Sequence, residues 1–197
     1  VMVGSDSTVN EIPSFRINNY KAICEATEYL LSTGHKNIAM LRGPLTDPQS
    51  GFERFMGFRD TMLKAGFYDD NIVVEGWYSF EDGYKGMDKI LRTNRNITAV
   101  LCACDLMAVG AAKKAVEKGY NVPESISIMG FDDVDIARMY TPSLSTIRQP
   151  FEESGHLAIE TLIKMIENKD AYKPFPSHIL THELIVREST KALIKEE

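Results

Sequence analysis

Four runs rich in β-branched residues, NIAML (37–41), NIVVEG (71–76), TAVLCACD (98–105) and SISIMGFDD (125–133), each break off into a polar or aromatic cluster and lead into a helix-like segment. The rhythm is strand, helix, strand, helix. Strands that are apolar along their whole length cannot show one face to water. The sheet they build is therefore expected to be parallel, covered on both faces and joined by right-handed crossovers, a doubly wound α/β arrangement. In such a sheet the loops at the carboxyl ends of the strands gather ligand-binding groups. Arg54, Tyr78, Cys104 and Asp132 are predicted to lie along that one rim.

The connecting segments support this order. From Asn19 to Gly34 a helix is expected, with Asn18 or Asn19 as cap, Ile23, Ala26, Leu30 and Leu31 as its apolar face and Gly34 as its stop. A second helix, from about Ser50 to Ala65, carries the stripe Phe55, Phe58 and Met62 and puts Arg54 in its first turn. Further helices are expected from about Glu81 to Leu91, from LMAVGAAKKAVEKG up to Gly119, and from about Phe151 to Asn168. TPSLSTIRQP and HELIVREST read as extended, the loop AYKPFPS lies between them, and a charged tail closes the chain. There is no internal repeat.

Composition excludes several classes of function. Lys and Arg total 22 against 28 acidic residues, a net charge of −6, and no basic run stands ready to neutralise a phosphate backbone, so these residues alone are not expected to hold DNA. No apolar stretch reaches the roughly 18 residues that span a bilayer, and within these residues no positively charged segment followed by an apolar one stands before the first strand, so a soluble location is expected. The opening VMVG reads as the end of a buried strand without an initiator Met, so the chain is expected to be a fragment. Cys24, Cys102 and Cys104 read as reduced core thiols in a cytoplasmic protein. His178 and His182 are four apart on an extended segment, which sets their side chains roughly 13 Å apart, so they read as structural and no metal or cofactor is expected.

The strings GHKNIAMLRGPL, ERFMGFRD, TAVLCACDLMAVGA, NVPESISIMGFDD and TPSLSTIRQP follow one another in order. Together they resemble the effector-binding region of the LacI/GalR family of bacterial transcription regulators, over a match running from about Asn18 to Thr190. The combination is specific, whereas each string alone is weak. The resemblance implies a type I periplasmic-binding-protein-like fold of two lobes, with a small polar effector, a sugar or a purine-like compound, bound between them. It implies a homodimer and a helix-turn-helix headpiece that reads operator DNA and is absent from this chain. By similarity, residues 17–148 and 181–190 form a complete C-terminal lobe. Residues 1–16 and 149–180 are a remnant of the N-terminal lobe, and 191–197 are a tail.

The same resemblance assigns roles at the rim. Arg54 stands where the family places an arginine that clasps the effector, and its rigid donor fork suits vicinal hydroxyls or a carboxylate; the alternative is an exposed arginine at a helix start. Asp132 matches the family's aspartate after the fourth strand and orients a sugar or a purine-like base equally well, or else caps a turn. Tyr78 falls where an aromatic packs on the ligand face, Trp77 takes its place if the register slips by one, and either ring can instead cover the sheet edge. Cys104 departs from the hydrogen-bonding residue of many relatives, so their sugar specificity does not transfer. Asp105 is expected to cap the next helix, Asp133 and Asp135 to be caps or solvated charges, and Gln149 either to reach the ligand or to satisfy the crossover backbone.

Three competing readings remain. A hydrolase or transferase using Cys104 or a serine lacks a G-x-S-x-G elbow, a phosphate loop and an evident base, so the chain is expected not to be an enzyme. A periplasmic sugar-binding protein of a transporter shares the lobe architecture. A partner protein in place of a metabolite is a further possibility within the family.

Overall fold

The computed structural model describes residues 1–6, 12–93, 96–167 and 177–193. Along the chain run β1 (Met2–Val3), β2 (Ser14–Ile17), α1 (Asn19–Ser32), β3 (Ile38–Arg42), α2 (Arg54–Ala65), β4 (Val73–Glu75), α3 (Phe80–Arg92) and β5 (Ala99–Cys102). They are followed by α4 (Asp105–Glu117), β6 (Ser127–Met129), α5 (Asp135–Met139), β7 (Thr146–Arg148), α6 (Phe151–Glu167), β8 (His178–Leu180) and β9 (Glu183–Ile185). The chain divides into two compact units, Val1–Asn18 with Gln149–His182, and Asn19–Arg148 with Glu183–Glu197.

The larger unit is built on a parallel sheet of order β4-β3-β5-β6, with Met40 level with Leu101 and Leu101 level with Met129. The β-branched runs form this sheet because all four residues of β5 and all three of β6 are buried, as a strand covered on both faces requires. Leu41, Val100, Cys102 and Ile128 belong to one continuous core with Met87 and Ile90 of α3 and Ala108, Ala111 and Ala112 of α4. The alternate residues Ile38, Met40 and Leu101 point to the opposite face, the side of the α1 and α2 pair with its buried Ile23, Leu30, Phe58 and Met62. Helices α3 and α4 meet at backbone distance, since a Cβ on Gly110 would stand 2.0 Å from the Phe80 carbonyl oxygen.

Sequence order and sheet order diverge at one place, between β3 and β5. The chain goes from β3 outward to β4 and then returns across β3 to β5. This is the switch point of the sheet, the kind of place at whose carboxyl end doubly wound sheets hold ligands.

Local differences from the sequence reading have physical causes. The segment expected to begin an α-helix at Ser50 starts with a π-helical turn, Pro48–Glu53, whose N-terminal amides of Gln49 and Ser50 are capped by the Asp47 carboxylate at 3.1 and 2.9 Å. The run expected as one strand from Asn71 begins with a 3-10 turn, Asp70–Ile72, capped by Asp69. HELIVREST is strand only over β9, which pairs antiparallel with β7; beyond it, Ser189 bonds to Ile128 and Lys191 to Ser127. Leu193 N–H donates to the Thr33 carbonyl at 2.9 Å, so the start of the charged terminal stretch lies against α1. Asn168 and most of AYKPFPS lie outside the described residues.

The smaller unit is a parallel sheet of order β1-β2-β8 packed with α6. VMVG contributes β1, and the His178 ring stacks on Phe15 at 5.3 Å between centroids and 4° between planes. His178 is thus a packing residue. Among the described residues no group of three or more His, Cys, Asp or Glu is placed to hold a metal, and no helix is long and apolar enough to cross a membrane.

Candidate functional site

At the switch point between β3 and β5 the first turn of α2 brings in Arg54, which is only 4% exposed. Its Nε donates to Asn19 Oδ1 at 2.8 Å and its Nη1 to the Ala103 carbonyl at 2.6 Å. The guanidinium plane lies over the buried Phe131 ring, 3.6 Å from its centroid. A guanidinium has five N–H donors; these contacts use two and lock the plane. Burial lowers its pKa and the Asp132 charge opposes that, but arginine stays protonated at any physiological pH. The reading of Arg54 as an exposed helix-start residue is therefore replaced by a buried, oriented cation.

Asp132 follows β6. Its Oδ1 stands 3.8 Å from Arg54 Nη2, close enough for charge attraction and too long for a direct hydrogen bond. The structure thus brings the two charged tips to one rim. Asp132 has a φ of 110°, Asp133 of 57° and Tyr78 of 63°, the only non-glycine residues with positive φ among those described. All three lie in loops at the carboxyl ends of strands. Backbone in this region costs roughly 1–3 kcal/mol per residue and persists where the surroundings over-determine it, which is typical of ligand sites.

Tyr78 is partly buried and donates its hydroxyl to Asp47 Oδ2 at 2.8 Å. It passes across Gly43, where a Cβ would meet the Tyr78 hydroxyl at 2.1 Å, so Gly43 is what makes room for the ring. Burial and the Asp47 carboxylate both raise its pKa, keeping the phenol protonated. Trp77 is 68% exposed and is held through its backbone N–H on Asp82 Oδ2 at 3.0 Å. Cys104 stands at the N-terminus of α4 with Sγ 3.4 Å from the Tyr78 carbonyl oxygen, and burial pushes its thiol up to about 11. Burial thus favours the protonated thiol at neutral pH. Gln149 begins the second segment of the smaller unit, where its carbonyl accepts from Phe151 N–H at 2.9 Å.

Two acidic residues differ from the sequence reading. Asp105 does not cap α4. It is the first residue of that helix, fully buried, and its carboxylate accepts from Thr146 Oγ1 at 2.7 Å and from Val134 N–H at 2.9 Å. Desolvation pushes its carboxyl up to about 7 against these hydrogen bonds, with Asp132 and Asp133 adding in the same direction. Asp133 is not a solvated charge but is buried between two arginines, whereas Asp135 is exposed and paired with Arg138. Sequence reasoning also passed over Asn19, Asp47 and Phe131, which orient Arg54 and Tyr78. Asn19, read only as a cap, was the one with a visible signal, a polar residue opening a buried helix.

A cleft of about 510 Å³ lies elsewhere on this unit, between α3 and α4, and is lined by Lys85, Lys89, Arg92, Lys114 and Lys118 with Asp88 and Tyr84. Most of these cations are matched by Glu81, Asp88 and Glu117, and none of the rim residues lines it.

Comparison with known proteins bears on the whole region. Residues 27–190 match the periplasmic binding protein-like domain. The chain is 31% identical over 192 residues to the catabolite control protein A of Priestia megaterium, covering 97% of this chain and 57% of that protein. It is 34% identical over 194 residues to the transcriptional repressor CytR of Escherichia coli, covering 98% and 56%. The solved complex of the transcriptional regulator CelR with cellobiose superposes with a TM-score of 0.86 at 30% identity, over 95% of this chain and 57% of that one. The chain thus spans about half the length of the curated relatives it matches.

Proposed function

Because this chain belongs to the periplasmic binding protein-like domain family, in the form found in LacI-family transcriptional regulators, we propose that it senses a small polar metabolite and thereby sets the operator affinity of a helix-turn-helix headpiece. The observation that carries this reading is the Arg54–Asp132 pair, a buried and oriented cation 3.8 Å from a carboxylate at the sheet's switch point. Such a pair offers donors on one side and an acceptor on the other, which suits the hydroxyls of a sugar. The cellobiose held by CelR supports a sugar, and a purine-like base is the alternative ligand. No bond is made or broken. A metabolite that binds one arrangement of the protein better than another changes DNA affinity, and DNA changes metabolite affinity by the same factor.

A second copy of the chain is the proposed partner. The consecutive helices α3, α4 and α5 leave Phe80, Leu106 and Met139 exposed, the last at 76%, and apolar residues grouped on neighbouring elements fit a self-complementary interface. The proposed setting is the cytoplasm, where operator DNA is. The similar proteins named above are transcription regulators, so a transporter's binding protein is not favoured.

The test is a thermal-shift screen of sugars and purines against the full-length gene product. One compound is expected to stabilise it by about 2.7 kcal/mol at a hundredfold excess over Kd, with the shift lost in Arg54→Ala and Asp132→Ala. Uniform failure of the screen, or a shift that survives both substitutions, overturns the reading.

A further inference from the structure

We propose that Asp133 is a positioning residue: it holds the adjacent Asp132 in its ligand-facing geometry by anchoring it, through Arg148 and Arg187, to the two segments at which the chain leaves and re-enters the larger unit. The proposal rests on the reading of Arg54 and Asp132 as a ligand site. The Asp133 side chain is 3% exposed, a burial that an ionised carboxylate tolerates only when paired. Its Oδ2 accepts from Arg148 Nε at 2.7 Å and its Oδ1 pairs with Arg187 Nη2 at 2.7 Å.

Each arginine has a second tie. Arg148, the last residue of β7, reaches Glu183 Oε2 through Nη1 at 3.0 Å, and Glu183 is the first residue of β9. Arg187, two residues past the end of β9, donates from Nη1 to the Leu144 carbonyl at 2.8 Å and from its backbone N–H to Ser145 Oγ at 2.8 Å. Two carboxylates and two guanidiniums therefore close a balanced network across the β7–β9 pair. On the other side of the turn Asp132 N–H donates to the Ile147 carbonyl at 2.7 Å. The turn that carries Asp132 is thus held by backbone on one side and by charge on the other, and that double hold maintains left-handed φ at two consecutive residues. The Asp133 backbone is contiguous with the ligand carboxylate, so any slackening at Asp133 is passed directly to the distance between Asp132 and Arg54.

Shape and charge are separated by two substitutions in the 197-residue chain, read by amide hydrogen exchange without any added compound. Asp133→Asn keeps the shape and removes the charge, while Asp133→Glu keeps the charge and enlarges the side chain. Asp133→Asn is expected to raise exchange at Asp132, Val134 and residues 146–148 by roughly tenfold or more, with β3 and β5 unchanged, and Asp133→Glu to restore most of the protection. Wild-type exchange in Asp133→Asn, or protection lost more fully in Asp133→Glu than in Asp133→Asn, overturns the proposal. Failure of the ligand-site reading shows separately, in the thermal-shift screen of Arg54→Ala and Asp132→Ala.

Discussion

The two units use the same α/β grammar and end with opposite relations to water. In the larger one, eight of the thirteen residues of α4 are buried, and the sheet is closed on both faces. In the smaller one, α6 has seventeen residues of which Ser154 alone is buried, and Ile159, Leu162, Ile163 and Ile166 stand exposed on it. Helical periodicity in the sequence is equally clear in both, so periodicity shows that an apolar face exists and not what covers it. The larger unit covers its own apolar faces. The apolar face of α6 is left uncovered among the described residues of the smaller unit.

Deleting the same atoms from each unit gives the widest separation. Leu101→Ala, in the fully buried centre of β5, is expected to cost roughly 2–5 kcal/mol in denaturant unfolding. A loss below about 1 kcal/mol would mean that the larger unit is not the stable one.

Acid and base act on the larger unit through Asp105. Its folded carboxyl lies near 7 against an ordinary value of 3.8, so the folded state keeps a proton that the unfolded state gives up. Its contribution is greatest below about pH 4, falls as pH rises from there to about 7, and is flat above; about three units correspond to about 4 kcal/mol at most. The difference in unfolding free energy between the wild type and Asp105→Asn should decline across that window. A difference independent of pH would show that Thr146 and Val134 hold the carboxylate ionised.

Association supplies a smaller effect. Leu106→Glu on α4 is expected to weaken self-association by more than roughly tenfold in sedimentation experiments, whereas Ile163→Glu on α6 leaves it unchanged if the copies meet through α3, α4 and α5. The reverse result would move the interface to the smaller unit. The smallest effect belongs to Leu162→Ala, half-exposed on α6, which should fall within about 0.5 kcal/mol of the wild type. A cost comparable to that of Leu101→Ala would erase the contrast between the units.

Much of the fold was legible in advance because its signals are local. β-Branched runs, glycine stops and helical stripes act over a few residues, and they placed the sheet's four strands and the helices between them. The positions of Arg54 and Asp132 followed from one further rule, that doubly wound sheets bind at the carboxyl ends of their strands. What was missed is non-local. Arg54 is oriented by Asn19 and Ala103, 35 and 49 residues away. Asp105 meets Thr146 at a separation of 41 residues and Arg187 meets Leu144 at 43. The assignment of Asp105 as a cap and of Asp133 as a cap or solvated charge came from their places along the chain, next to a helix start and a strand end.

From the sequence alone came the parallel sheet, its crossover helices and the rim on which charged residues collect, because β-branched runs, glycine stops and apolar periodicity are decided within each segment. Only the tertiary structure decided which of those charges are buried, which are paired and which are tilted in pKa, because desolvation and Coulomb attraction depend on distances between segments remote in the chain.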